Sequence, residues 1–192
     1  MTLDQRFVST LNGWGLRNTF LVAICSEYLV FFVSLIAVSW FANNIYQRHR
    51  PINSIRVMLS DLVLSTFVLF VIPVGLATLI SELMSQIYVR QRPFVTMSNV
   101  QLLVPHNADG GMPSHHMVFM MSISTLVYLS NKRFGVLLIF LSVISGIARV
   151  SAGIHYPSDV VAGILLGSLV SIAFIQISLR LFDNRFSNFL RS

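Results

Sequence analysis

The chain has 192 residues, 55% of them hydrophobic and only 10% charged, with a mean hydropathy of +0.75. A soluble domain carries roughly a quarter of its residues charged, so the composition excludes a water-soluble globule and indicates an all-α integral membrane protein. The formal charge of +6 does not argue for a nucleic-acid partner, because the basic residues are scattered between apolar runs in the manner of membrane topology.

Residues 1–18 set Phe7, Val8, Leu11, Trp14 and Leu16 among Asp4, Arg6 and Arg17. That spacing predicts a short interfacial helix, with a partly ordered tail as the alternative. The segment lacks a short apolar core followed by a small-residue cleavage site, so no cleavable leader is expected. Residues 20–42 are apolar apart from Glu27 and small polar residues, long enough to cross ~30 Å of hydrocarbon. The single Cys25 lies within them and cannot form an intrachain disulfide. Arg48, His49, Arg50, Pro51 and Arg56 make a basic turn.

The apolar run 57–88 has ~32 residues and would reach ~48 Å, so it must tilt and kink near Pro73 and Gly75 or extend beyond the bilayer. A polar loop, 89–112, holds Arg90, Arg92, Pro93, His106 and Asp109. A third helix opens at Pro113 and Ser114 and ends near Asn131; Lys132 and Arg133 turn into a fourth over 134–151, and a fifth runs over 157–182. The expected architecture is a bundle of about five transmembrane helices plus the N-terminal interfacial helix. No linker, low-complexity block or repeat divides it, so residues 1–192 form one domain.

Five spans put the termini on opposite sides. If the Arg48 turn is cytoplasmic, that side carries Arg48, Arg50, Arg56, Lys132, Arg133, Arg180, Arg185 and Arg191, against Arg6, Arg17, Arg90, Arg92 and Arg149 outside. This bias obeys the positive-inside tendency. It places Arg92, the Ser114 to His116 helix start and the 149–159 segment on one outward face.

Charged groups clustered at apolar helix ends are costly and mark a functional site. Arginines without matching carboxylates suit an anion, and planar guanidinium suits phosphate. Gly110 and Gly111 allow close backbone approach, and the third helix offers N–H groups at its start. His155 and Asp159 are four residues apart, so the carboxylate can accept from one ring nitrogen and leave the other free to attack. His116, one turn into the third helix, can protonate a leaving oxygen. These are the parts of phosphoryl transfer. No metal or other cofactor is expected, since Arg92 and Arg149 would repel a cation. Gly163, Gly167 and Ser171 form a small-residue stripe for helix packing.

Arg92-Pro93, then Pro113-Ser114-His115-His116, then Arg149, His155 and Asp159 resemble the three signatures of the type 2 phosphatidic acid phosphatase (PAP2) superfamily. The resemblance covers the chain from the first helix to the fifth and implies a PAP2-like core. It implies that His155 is a nucleophile forming a phosphohistidine, that Asp159 orients it, and that His116 is the general acid. Arg92, Ser114 and Arg149 would bind the phosphoryl group. Three positions depart from the pattern: Ser85 stands where lysine is usual, His115 where glycine or aspartate is, and Ala148 where serine is. Arg90 is the candidate to supply the missing charge.

Within the superfamily the chain looks most like bacterial undecaprenyl-diphosphate phosphatases of the bacitracin-resistance type. The features are Ser26-Glu27-Tyr28, Arg92-Pro93-Phe94-Val95, and Val104-Pro105-His106 with Asp109 before Pro113. That likeness implies a polyprenyl diphosphate lipid as substrate, membrane lipids as surroundings, and a site outside the bacterial cytoplasmic membrane. Glu27, His106 and His115 are candidate substrate contacts. The alternatives are an enzyme for another lipid phosphate (phosphatidylglycerol phosphate, phosphatidic acid or lipid A), a phosphotransferase, and a non-catalytic lipid-phosphate transporter.

Overall fold

The computed structural model describes residues 1–49 and 67–181. Within them every regular element is helical, as a chain in hydrocarbon requires if its backbone N–H and C=O groups are to be satisfied internally. Arg50, Pro51 and Arg56 of the expected basic turn, residues 57–66 with Asp61, and Arg185 and Arg191 lie outside the described residues.

Helix α1 spans Leu3–Arg17, opened by a capping box in which the Thr2 hydroxyl accepts from Gln5 N and the Gln5 side chain accepts from Thr2 N. Phe7 and Trp14 are exposed while Val8 and Asn12 are fully buried, so the amphipathic pattern is used on both faces. Asn12 docks α1: its amide donates to Gln101 O and Ser151 O, and its oxygen accepts from Gln101 N. Gly15 sits where a Cβ would lie 2.8 Å from Ser151 O, so the helix rests directly on that backbone. These contacts make α1 an integral part of the bundle.

Helix α2 (Thr19–Ala23) runs through a π turn, Ile24–Tyr28, into α3, Leu29–His49. Glu27 lies in the wide turn, the kind of helix bulge frequent at functional sites. A second π turn, Phe67–Val71, precedes α4, Ile72–Ile87. Pro73 explains it, because proline lacks an N–H and its ring crowds the carbonyl four residues earlier, so the preceding turn widens. A π turn thus stands just ahead of Pro73, where the sequence allowed a kink.

After the short α5 (Pro93–Thr96) come α6 (His115–Ser130), α7 (Lys132–Ser151) and α8 (Pro157–Leu181). Asn131 forms the hinge between α6 and α7, its side chain accepting from Phe134 N at 3.2 Å. Thr19–Asn44, Lys132–Ser151 and Pro157–Arg180 are each long and apolar enough to cross a membrane, and Ile72–Ile87 is a shorter apolar helix. The protein is therefore a multi-pass, all-helical membrane protein. Among the described residues three helices have the length of a span, and the expected second one, 57–88, lies partly outside them.

Helix α6 is the central one, buried almost all round from Met117 to Val127. The small-residue stripe does what its spacing predicts. A Cβ on Gly163 would come within 2.8 Å of Ser114 O, Ser122 Oγ donates to Gly167 O, and Ser171 Oγ donates to Ser122 O. Close approach of α8 to α6 brings the first turns of the two helices together, with Ser114 N donating to Asp159 O at 3.1 Å. The main core joins α3, α4 and α6 through Val33, Ala37, Phe41, Val74, Met120 and Ile123.

Candidate active site

Four helix ends build the site. Arg92 is the extended residue before Pro93, at the start of α5, held out of the helical region by the proline that follows it. Ser114 occupies the N-cap of α6, yet its hydroxyl makes no capping bond and is buried without a partner among the described residues. An N-cap serine ordinarily bonds an N–H of its own helix. Arg149 lies in the last turn of α7, where the helix dipole favours a cation.

The turn after α7 carries Gly153 at φ +78°, with Phe94 N bonded to its carbonyl. A Cβ at Gly153 would meet Gln101 O at 2.8 Å, so both conformation and space call for glycine. This turn delivers His155, and Asp159 follows in the first turn of α8, accepting from Tyr156 N at 2.8 Å.

His155 is 3% exposed. Its Nδ1 lies 2.9 Å from Gly111 O, and its Nε2 lies 3.3 Å from Arg92 Nη1. A carbonyl only accepts and a guanidinium only donates. The proton is thus on Nδ1, and the Nε2 lone pair faces the arginine. Burial, then the charges of Arg149 and Arg92, hold this imidazole well below its usual pKa. Asp159 Oδ2 is 3.7 Å from Nδ1, beyond a hydrogen bond. The direct bond to the ring comes from the Gly111 carbonyl, and Asp159, expected to orient the ring, lies behind it. Gly111 allows this because a Cβ there would press on Arg90 O and Arg92 Cγ, at 3.3 and 3.4 Å.

The structure brings Arg92, Arg149 and His106 near the His155 ring, with Glu27 on Arg149. Arg92 donates from Nε and Nη2 to Asp109 Oδ1, at 2.9 and 2.7 Å, and from Nη1 to Ile154 O. Arg149, fully buried, donates from Nη1 to Ser26 O and Glu27 Oε1, and from Nη2 to His106 Nε2 at 3.2 Å, while its Nε has no partner among the described residues. The same donor logic gives His106 a proton on Nδ1, which points to Asn107 O. Burial first, then Arg92, lowers the His106 pKa. The His106 and His155 rings meet edge to face at 6.4 Å between centroids. His116 is partly buried in the first turn of α6, with Arg149, His106, His115 and Arg92 as its electrostatic neighbours.

Two candidates lie elsewhere. His115 is exposed and turns towards Glu82 of α4, 3.7 Å away. Arg90, expected among the phosphate ligands, sits behind the histidine. Its Nη1 donates to Asp159 Oδ1 and Ser158 Oγ at 2.6 Å, its Nη2 donates to Asp4 Oδ2 at 2.9 Å, and it stacks 4.1 Å over the Tyr156 ring. Two carboxylates occupy its fork, one of them supplied by α1. Ser85, where lysine is usual, directs its hydroxyl to Glu82 O in the last turns of α4.

Sequence reasoning did not anticipate Asp4 or the Gly111 carbonyl. Asp4 reads as an ordinary acidic residue in the first turn of a helix, and a carbonyl leaves no signature in side-chain identity. Among the described residues no group of three or more His, Cys, Asp or Glu side chains is arranged to hold a metal ion.

A model of the PAP2 superfamily matches residues 66–183. The chain is 31% identical over 169 residues to the bacitracin transport permease protein BcrC of Bacillus licheniformis, covering 87% of this chain and 75% of that protein. It is 32% identical over 105 residues to the undecaprenyl-diphosphatase BcrC of Bacillus subtilis, covering 54% of each. The crystal structure of a transmembrane PAP2-type phosphatidylglycerolphosphate phosphatase from Bacillus subtilis superposes with a TM-score of 0.62 at 18% identity, over 95% of this chain and 87% of that one. That likeness speaks to the fold.

Proposed function

The chain belongs to the PAP2 superfamily, and from that membership we propose that it is an undecaprenyl-diphosphate phosphatase, releasing phosphate to leave the monophosphate carrier lipid for cell-wall synthesis. The observation that carries the reading is His155: a buried imidazole with its Nε2 lone pair directed at an arginine, in a site where a second arginine's Nε and a serine hydroxyl are without partners among the described residues. Buried donors without acceptors are expensive, and a phosphoryl group satisfies all of them at once.

Nε2 of His155 bonds to the terminal phosphorus as the bond from phosphorus to the bridging oxygen breaks. His116 gives that oxygen its proton, and the lipid monophosphate leaves. Water then attacks the phosphohistidine, handing its proton to His116, and inorganic phosphate departs. Arg92, Arg149, Ser114 and the start of α6 hold the equatorial oxygens, where charge is greatest in the transition state. His106 and Glu27 set the direction of the Arg149 fork. The site opens on the outer side of the bacterial cytoplasmic membrane, at the end of the bundle opposite Lys132 and Arg133.

Because the His155 pKa is lowered, the imidazole stays neutral and nucleophilic on the acid side of neutrality. The acid limb of kcat/KM is therefore expected below about 6.5, the ordinary imidazole value. A limb centred above that value would contradict a neutral buried nucleophile.

The names of the two BcrC relatives differ, one describing transport and the other hydrolysis, so transport is the second reading. Purified protein in detergent decides, offered undecaprenyl diphosphate, phosphatidylglycerol phosphate, phosphatidic acid and lipid A. Phosphate release with the highest kcat/KM on the polyprenyl diphosphate is the expected result. Preference for another lipid would reassign the substrate, and release from none would favour transport.

A further inference from the structure

Asp4 stands at the first turn of α1, far in sequence from every residue of the site, yet it is bound to the start of α8. Its Oδ1 accepts from Ser158 N at 3.2 Å, and its Oδ2 accepts from Ser158 Oγ and from Arg90 Nη2. The first N–H groups of a helix have no partner within it and carry partial positive charge. Asp4 thus caps α8 from another helix. The hydrogen bonds from Ser158 and Arg90 outweigh burial, which acts in the opposite sense, and hold the Asp4 carboxyl below its usual pKa.

Arg90 extends the connection. It joins Asp4 to Asp159 through the two arms of one guanidinium, and it lies over Tyr156, whose hydroxyl is 2.8 Å from Thr96 Oγ1. Asp159 is fully buried and also accepts from Tyr156 N, next to His155. A planar fork between two carboxylates sets their separation and orientation, which a single charge would not do. The remainder of α1 is held independently, by Val8 in the core formed with Met97, Met117, Val150 and Tyr156, and by Asn12 on Gln101 and Ser151.

We propose that Asp4 and Arg90 are positioning residues of the phosphoryl-transfer site: through them the N-terminal helix holds Asp159 and the start of α8 in the arrangement that aligns His155. The inference rests on the proposed hydrolytic function, and it gives α1 a part in the reaction beyond lying at the membrane interface. Neither residue touches substrate. Loss of either should impair turnover more than binding, because misplacing a reacting group costs rate steeply.

The test uses the full-length protein in detergent, with Asp4→Asn, Asp4→Glu, Arg90→Lys, Arg90→Gln and the Asp4→Asn/Arg90→Gln double variant. Asp4→Asn and Arg90→Lys are expected to lower kcat by roughly 10- to 100-fold with KM on undecaprenyl diphosphate changed by less than about threefold. Asp4→Glu should recover part of the loss. The double variant should lose less than the product of the two single losses, since Asp4 acts in part through Arg90 and in part through Ser158. Wild-type kcat in both Asp4→Asn and Arg90→Lys would overturn the proposal, as would additive losses in the double variant. Should Asp4→Asn fail to fold, Arg90→Lys carries the same test.

Nitrogen NMR of labelled histidine in wild type, Asp4→Asn and Arg90→Lys reads the alignment without turnover. Displaced His155 imidazole signals support the proposal, and unchanged signals overturn it. If the wild-type protein releases no phosphate, the hydrolytic reading fails while the imidazole signals still decide whether Asp4 and Arg90 position His155.

Discussion

Replacing His155 with alanine is expected to reduce phosphate release from undecaprenyl diphosphate by roughly 10⁴-fold or more, the scale on which loss of a covalent nucleophile is felt. The protein should still fold, because the charged partner of the ring has other partners. Arg92 keeps Asp109, Ile154 O and Gly110 O, and the turn that carries His155 is held by Gly153 and by Ile154 N on Arg149 O. His155→Gln, closer in size, serves if the alanine variant is poorly folded. Phosphate release under single-turnover conditions measures the loss. Trapping of an acid-labile, alkali-stable phosphoryl group on wild type and not on the variant identifies the residue. Retained turnover in a folded His155→Ala protein would rule out the phosphohistidine.

Arg149→Lys should lower kcat/KM by about 10²- to 10³-fold, the usual cost of removing a preorganised donor from developing charge. The substitution keeps the charge and changes the geometry. The guanidinium meets Ser26 O, Glu27 and His106 with two nitrogens and has a third, Nε, without a partner among the described residues. An ammonium on a flexible stem cannot reproduce that planar set. Wild-type kcat/KM in Arg149→Lys would mean that charge alone suffices, and the role given to Glu27 and His106 in directing the fork would fall with it.

The membrane character, the helical class and the helix limits after residue 113 were legible in the sequence. An apolar run bounded by Asn131, Lys132 and Arg133 has few ways to fold in a bilayer, and the observed α6, α7 and α8 begin and end within about two residues of the expected bounds. The stripe of Gly163, Gly167 and Ser171 was legible for a related reason, since small residues at helical spacing record close packing whatever the partner.

Arg90 stands near Arg92 in the chain, so the sequence offers it as a second anion ligand, and its two carboxylate neighbours become known only from the fold. Asp4 was unreadable as a site-supporting residue, being more than 80 residues from Arg90 and more than 150 from Ser158. His115 stands beside His116, yet the α6 helix turns it towards Glu82 and away from the cluster. Adjacent helical residues diverge by about 100° round the axis, so adjacency in the chain carries no promise of a shared site.

Composition, charge bias and the three separated motifs by themselves determined that this is a membrane protein with a cluster of arginine and histidine at one face. These are properties of which groups are present and on which side of an apolar run they fall. Only the tertiary structure decided what each polar atom is bonded to. It set the His155 tautomer through the Gly111 carbonyl and Arg92, took Arg90 out of the anion cluster, and joined α1 to the start of α8. Those outcomes depend on hydrogen-bond directions between segments distant in the chain, and such directions exist only once the helices have packed.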